Sequence, residues 1–326
     1  MENREEVENE EYEKLKNSKF KQQKLPGWRP VPTITSTTII FFCFGGVFIV
    51  LGIIILIFSN KIEEVSYRYD EECDKQIKNN INGGKCIIEL EIKKDMKRKV
   101  MIYYQLNGFY QNHRRYVKSK SDEQLHGTYI DLTKMKDSQD CDPAITNADM
   151  NKEWNYNHTI RLNPEDVAIP CGLIAKSYFN DDFKDWEIVD NFNEIITTFT
   201  PNCNDIAWKA DKELKYKNVD LSKQWINMTD EHFIVWMRPA GLPNFRKLWG
   251  RIDSIDLKAG NRVRVTIDDN FNVTSFSGEK YLILSTVNVF GGKNSFLGIS
   301  YIVLGGISII LAVVFIIGYN INKKNK

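Results

Sequence analysis

Two long stretches without a formal charge constrain this 326-residue chain more than any other feature of it. No Asp, Glu, Lys or Arg occurs between Arg29 and Lys61, and from Thr38 to Phe58 the chain is almost wholly Ile, Phe, Val, Leu and Gly. A second charge-free stretch runs from Asn294 to Asn322, with its apolar centre from Phe296 to Ile317. A bilayer core takes roughly 20 apolar residues of helix, whereas a buried helix of a soluble protein this long ordinarily keeps a polar stripe. Both stretches are therefore read as transmembrane helices, over residues 36–59 and 296–319.

The first is not read as a cleaved signal peptide. Its apolar run is too long, it follows a hydrophilic tail, and Phe58-Ser59-Asn60 lacks the small-x-small pattern of a cleavage site. Lys14, Lys16, Lys19, Lys21, Lys24 and Arg29 precede it, Lys61 on its far side is followed by Glu63 and Glu64, and Lys323, Lys324 and Lys326 follow the second helix. The excess of Lys and Arg on cytosolic flanks places both termini in the cytosol. Tails over residues 1–35 and 320–326 then lie inside, and residues 60–295 lie in a lumen or outside the cell.

Two further features agree with that orientation. Asn157-His158-Thr159, Asn227-Met228-Thr229 and Asn272-Val273-Thr274 are glycosylation sequons, and all three fall in the central stretch. So do Cys73, Cys86, Cys141, Cys171 and Cys203, while Cys43 lies in the first apolar run. No C-x-x-C or Cys/His spacing for zinc is present, so these thiols read as cross-links of an oxidising compartment. A bridge from Cys73 to Cys86 would close an Asn/Gly-rich loop and contribute about 3 kcal/mol in the chain-entropy model. Cys141 and Cys171 enclose a longer polar stretch, and Cys203 is left over. Spacing alone leaves the connectivity open.

Within residues 60–295 the apolar period changes to two. Ile88, Leu90 and Ile92 alternate with Glu89, Glu91 and Lys93, and Val263, Val265 and Ile267 with Arg262, Arg264 and Thr266; Val100, Ile102, Tyr104 and Leu106 alternate too. These are strands with one buried face. Tyr281 to Phe290 reads as another, with Asp268-Asp269-Asn270 as a turn. No long amphipathic helix is evident between the spans. The expected fold is two transmembrane α-helices flanking a mainly antiparallel, sandwich-like β domain outside the cytosol, large enough to bury its own core. The tail up to about Pro32 is charged and poor in aliphatics, and is expected to lack regular structure, its basic end resting on anionic lipid.

No catalytic, metal-ligating or cofactor-binding residue is assigned. H-E-x-x-H, G-x-S-x-G, the P-loop and the dinucleotide fingerprint are all missing from the sequence. The neighbours Asp181-Asp182 and Asp268-Asp269 would point to opposite faces of a strand and cannot share a proton, so they read as turn residues. With 44 Lys and Arg against 43 Asp and Glu, the formal charge of +1 gives no pull toward nucleic acid. What does stand out is aromatic and basic residues interleaved from Tyr103 to Tyr116, and again around Trp225, Trp236 and Trp249. Such residues dominate protein interfaces, and Tyr104, Phe109, Tyr110, Arg114, Arg115, Trp236 and Arg238 are the candidate partner surface.

Several ordered blocks carry a resemblance: Phe20-Lys21-Gln22-Gln23 with Leu25-Pro26 and Trp28, Tyr103 to Ser119, Gln124-Leu125 with Gly127, and Pro170-Cys171-Gly172-Leu173-Ile174-Ala175 with Ser177 and Phe179-Asn180-Asp181. Ile206-Ala207-Trp208 with Asp211-Lys212, Trp236-Met237-Arg238 and Phe290-Gly291-Gly292-Lys293-Asn294 follow. The chain resembles, over nearly its whole length, the cell cycle control protein 50 family, also called the ligand-effect modulator family. Its members are accessory subunits of the type-four P-type ATPases that flip phospholipids.

The resemblance implies disulfides Cys73–Cys86 and Cys141–Cys171, and no role for Cys203. It also implies a heterodimer with an ATPase, in membrane lipid, with no enzymatic activity in this chain, no cofactor and no nucleic acid. The implied locations are the endoplasmic reticulum, Golgi or endosomal membranes, or the plasma membrane. One departure is that Asn180-Asp181-Asp182 replaces a sequon the family often has there. Gly45, Gly52, Gly298 and Gly305 recur at seven residues and would offer close-approach faces to the partner. The other class of protein with this topology is a subunit of a two-span ligand-gated or sodium channel, which would need a polar pore stripe that neither span has.

Overall fold

The computed structural model describes residues 12–24, 27, 33–79 and 85–324. Leu25, Pro26, Trp28, Arg29, the acidic start of the tail and the centre of the Cys73–Cys86 loop lie outside the described residues. The principal elements in chain order are α1 (Ile34–Asn60), β1 (Glu64–Arg68), α2 (Asp70–Lys78), β2 (Cys86–Glu91), β3 (Val100–Asn107), β4 (Asp182–Val189), β5 (Ile195–Phe199), α3 (Glu231–Trp236), β6 (Phe245–Ile252), β7 (Arg262–Asp268), β8 (Glu279–Ser285) and α4 (Ser295–Lys324). Short helices fill the loops between them. The chain divides into two compact units, one of residues up to 54 and from 296 onward, the other of residues 55–295.

The first unit is a pair of apolar helices, each long enough to cross a bilayer. Their glycines meet. A Cβ built on Gly45 would lie 2.6 Å from Ile309 and 2.9 Å from the Gly305 carbonyl, and one on Gly305 would lie 2.8 Å from the Gly45 carbonyl. One turn pair further on, a Cβ on Gly52 would lie 2.8 Å from the Gly298 carbonyl. The seven-residue glycine spacing thus packs the two spans of this chain against each other, and the expected approach of a partner along those faces is corrected. Gly46 and Gly306, one position on, have nothing within 4 Å. In the tail, where no regular structure was expected, residues 12–17 are helical, supported by a Lys16–Glu13 ion pair at 3.5 Å.

The second unit is built on two four-stranded antiparallel sheets, in the orders β1-β8-β3-β6 and β2-β7-β4-β5. The period-two patterns explain the burial: Val100, Ile102, Tyr104 and Leu106 of β3 are all inward, as are Ile88 and Leu90 of β2 and Val263, Val265 and Ile267 of β7. The sheets share one hydrophobic core. At its centre, Phe183 of β4 meets Trp249 of β6 with ring centroids 5.1 Å apart, and Trp186 lies 5.9 Å from the same indole. The strand expected from Tyr281 to Phe290 stops at Ser285. Beyond it the chain turns, with Thr286 N–H donating to the Glu63 carbonyl and Asn288 pairing with Gly291. Cys73 pairs with Cys86 and Cys141 with Cys171, at Cα–Cα distances of 4.8 and 5.7 Å.

Candidate interaction surface

The seven candidate partner residues separate cleanly by burial. Tyr104 is buried and stacks on Phe179, centroids 3.9 Å apart and planes 3° from parallel. Trp236 is fully buried, and its indole N–H donates to the Ile174 carbonyl at 2.8 Å. Phe109 is half-buried at the hub of an aromatic cluster with Trp236 at 5.8 Å, Tyr116 at 5.9 Å and Phe276 at 5.3 Å. Tyr104 and Trp236 are core residues and cannot be a partner surface; their rings fill the space between the sheets and the loops above them. The alternation along β3 already put Tyr104 on the face of Ile102 and Leu106. Tyr110, Arg114 and Arg115 are exposed, and Arg238 is half-buried.

The buried tryptophans also satisfy backbone. Pro170-Cys171-Gly172 would be a polar loop in an apolar setting without partners. Trp225 donates its indole N–H to the Pro170 carbonyl at 2.8 Å, the Gln124 carboxamide accepts from Cys171 N–H at 3.0 Å, and Gly172 N–H donates to the Ala144 carbonyl at 2.8 Å. Gly172 sits at φ +100°, and a Cβ there would collide with the Ser119 carbonyl. That explains glycine at this position.

Arg238 leads to a feature the residue-by-residue reading missed. Its guanidinium lies 3.5 Å over the ring of Trp208 and its Nε donates to Asp211, whose other oxygen lies 3.0 Å from Lys215 Nζ. Burial raises the Asp211 carboxyl, but the hydrogen bonds from Arg238 and Lys215 outweigh it and hold the group below its usual range. Glu231 of α3 clips the segment in place, accepting from the backbone N–H of Asp205 at 3.0 Å and Ala207 at 2.9 Å and from Lys212 Nζ at 2.6 Å. Blocks 206–212 and 236–238 are far apart in sequence yet form one site here. Trp208 is 66% exposed, so the stack presents a free aromatic face beside a cavity of about 360 Å³ lined by Tyr103, Arg246 and Lys247 among others.

Two buried lysines complete the electrostatics. Lys247 of β6 donates to the carbonyls of Val235 at 2.9 Å, Trp236 at 3.0 Å and Arg238 at 2.5 Å, capping the end of α3. Lys280 of β8 donates to Asp181 and to the Phe271 carbonyl, both at 2.7 Å, and to Asp269. Tyr69 O–H donates to the same Asp181 at 2.8 Å. Asp181 and Asp269 are therefore members of a buried ionic cluster, which corrects their reading as plain turn residues. Burial holds the Asp269 carboxyl above its usual range despite the lysine beside it. Both lysines occupy inward positions of their strands, Lys247 in phase with Phe245 and Trp249, Lys280 in phase with Leu282 and Leu284. A charge in phase with apolar neighbours was the available signal.

Asn157 and Asn272 are exposed and Asn227 half-buried. In each sequon the threonine hydroxyl lies within hydrogen-bond distance of the asparagine Oδ1, at 2.6, 2.7 and 2.7 Å for Asn157, Asn227 and Asn272.

Comparison with known proteins gives one consistent picture. Residues 55–325 match the model of the LEM3 (ligand-effect modulator 3) family / CDC50 family. The chain is 40% identical to "Putative ALA-interacting subunit 2" of Arabidopsis thaliana, over 91% of this chain and 86% of that protein. It is 35% identical to "Cell cycle control protein 50A" of Bos taurus over 92% of this chain and 88% of that one, and 30% identical to "Cell cycle control protein 50B" of Homo sapiens over 93% of each.

Proposed function

This chain belongs to the LEM3/CDC50 family, and from that premise we propose that it is the non-catalytic accessory subunit of a phospholipid-flipping P-type ATPase. It forms a heterodimer with the catalytic chain, accompanies it out of the endoplasmic reticulum, and supports its stability and lipid transport, with both termini in the cytosol and glycans on Asn157, Asn227 and Asn272. Its final membrane is Golgi, endosomal or plasma membrane. The observation that supports this reading is identity of 30 to 40% over nine-tenths of the chain to proteins named as an ALA-interacting subunit and as cell cycle control proteins 50A and 50B. Within the β domain, Tyr110, Arg114, Arg115 and Arg238, with Trp208 now added, are the groups offered to the ATPase.

Purification of the native protein in mild detergent should bring down a much larger ATPase in equal amount. Recovery of this chain alone, or as a homotrimer, under conditions that keep such complexes together would sink the reading; the homotrimer would favour the channel class.

A further inference from the structure

Val289 is the most exposed large hydrophobic side chain among the described residues, at 94%, and Phe290 beside it is 60% exposed. Isolated exposed apolar residues are ordinary. This pair is different because of how it is held. Asn288 and Gly291 pair across a tight turn, each backbone N–H donating to the other's carbonyl at 3.0 Å, with Gly291 at φ +98°. The Asn288 side chain accepts from Phe290 N–H at 2.8 Å. The turn thus presents Val289 and Phe290 at a fixed tip rather than on a loose loop.

The tip is tied to the last turn of α1. Asn288 Nδ2 donates to the Phe58 carbonyl at 2.8 Å, Asn294 N–H donates to Ser59 Oγ at 3.0 Å, and the rings of Phe290 and Phe58 lie 5.4 Å apart. Phe58 ends the apolar run of the first span, and Ser59, Asn60 and Lys61 begin the polar chain. A residue fixed at the level of Phe58 is therefore at the boundary between hydrocarbon and headgroups. Lys61, whose Nζ lies 5.7 Å over the Phe58 ring, and Lys293 flank the tip. Apolar side chains bordered by lysines are the composition of an interfacial anchor.

We propose that the Asn288–Gly291 turn inserts Val289 and Phe290 among the acyl chains and headgroups of the extracytosolic leaflet, so that the β domain has a third attachment to the membrane besides its two helices. The occupant of this apolar tip is phospholipid, and the inference does not depend on which ATPase is bound. It follows from continuity of the tip with the end of the first span.

The test places the photoreactive residue benzoylphenylalanine at position 289 of the full chain. The protein, purified with whatever stays bound in mild detergent, is reconstituted into nanodiscs of phosphatidylcholine and phosphatidylserine and irradiated. Phe192, 86% exposed at the β4–β5 turn, carries the same residue as a control. A phospholipid adduct at 289 and none at 192 is expected. An adduct of 289 to a polypeptide, equal lipid adducts at both positions, or no adduct at 289 overturns the proposal. Should that variant fail to assemble, a spin label on Val289→Cys, with Cys43→Ser and Cys203→Ser, reads the same point. Greater accessibility to oxygen than to a water-soluble nickel complex supports insertion, and the reverse ratio overturns it.

Discussion

Lys247 lies between Phe245 and Trp249 on the inward face of β6 and caps the carbonyls that end α3. Burial, and then the positive charge of Arg238, push its ammonium down to about 7. A lysine whose folded pKa lies below its unfolded value loses its proton on folding between the two values. The cost of burying the charge is fully present below the lower value and is relieved as pH rises through it. The thermal midpoint of the wild type relative to Lys247→Met should therefore climb as pH rises from about 7 toward the ordinary lysine range near about 10. Thermal unfolding in detergent across that range checks it, and a pH-independent difference would show that Lys247 does not titrate there. At this scale the sequence was legible in part. The phase of Lys247 and Lys280 with apolar neighbours marks them as inward, but Asp181, the carboxylate that Lys280 meets, sits in an irregular segment where no period shows which way a side chain faces.

The helices and strands are where sequence reading went furthest, because a period of two or a charge-free run is local. What an element faces is another matter. The seven-residue spacing of Gly45 and Gly52 announced a close approach; that the approach is to Gly305 and Gly298 of the same chain needed three-dimensional placement. A side chain at Gly305 would have to displace Ile49 at 2.7 Å as well as the Gly45 carbonyl. Overpacking of this kind costs about 1–3 kcal/mol, so Gly305→Ile should lower the thermal midpoint of the detergent-purified protein, whereas Gly306→Ile, with open space around it, should leave the midpoint unchanged. Equal effects of the two would show that the glycine face does not pack the spans together. On β3 the logic runs the other way: alternation alone settled that Tyr104 is core, and residue type alone had suggested the surface.

Across the whole β domain, two bridges close loops of 13 and 30 residues. The chain-entropy model assigns them about 3 and about 3.6 kcal/mol. Removing Cys141 and Cys171 as a pair of serines should accordingly destabilise more than removing Cys73 and Cys86, by a few tenths of a kcal/mol or more, read by denaturant unfolding of each double variant. The reverse order would mean that the α2–β2 staple does more than close a loop. Much of this architecture followed from sequence by itself: the two long apolar helices, the strands with clean alternation and the family. Those rest on charge-free length, on repeating period and on ordered blocks, all of which are properties of neighbours along the chain. Only the tertiary structure decided that Trp225 and Trp236 donate to the carbonyls of Pro170 and Ile174, that Trp208 meets Arg238, that the glycines of the spans pair with each other, and that Val289 and Phe290 stand at the end of the first span. Each of these joins residues tens to hundreds of positions apart. A local pattern shows which face is apolar, and long-range packing decides what that face meets.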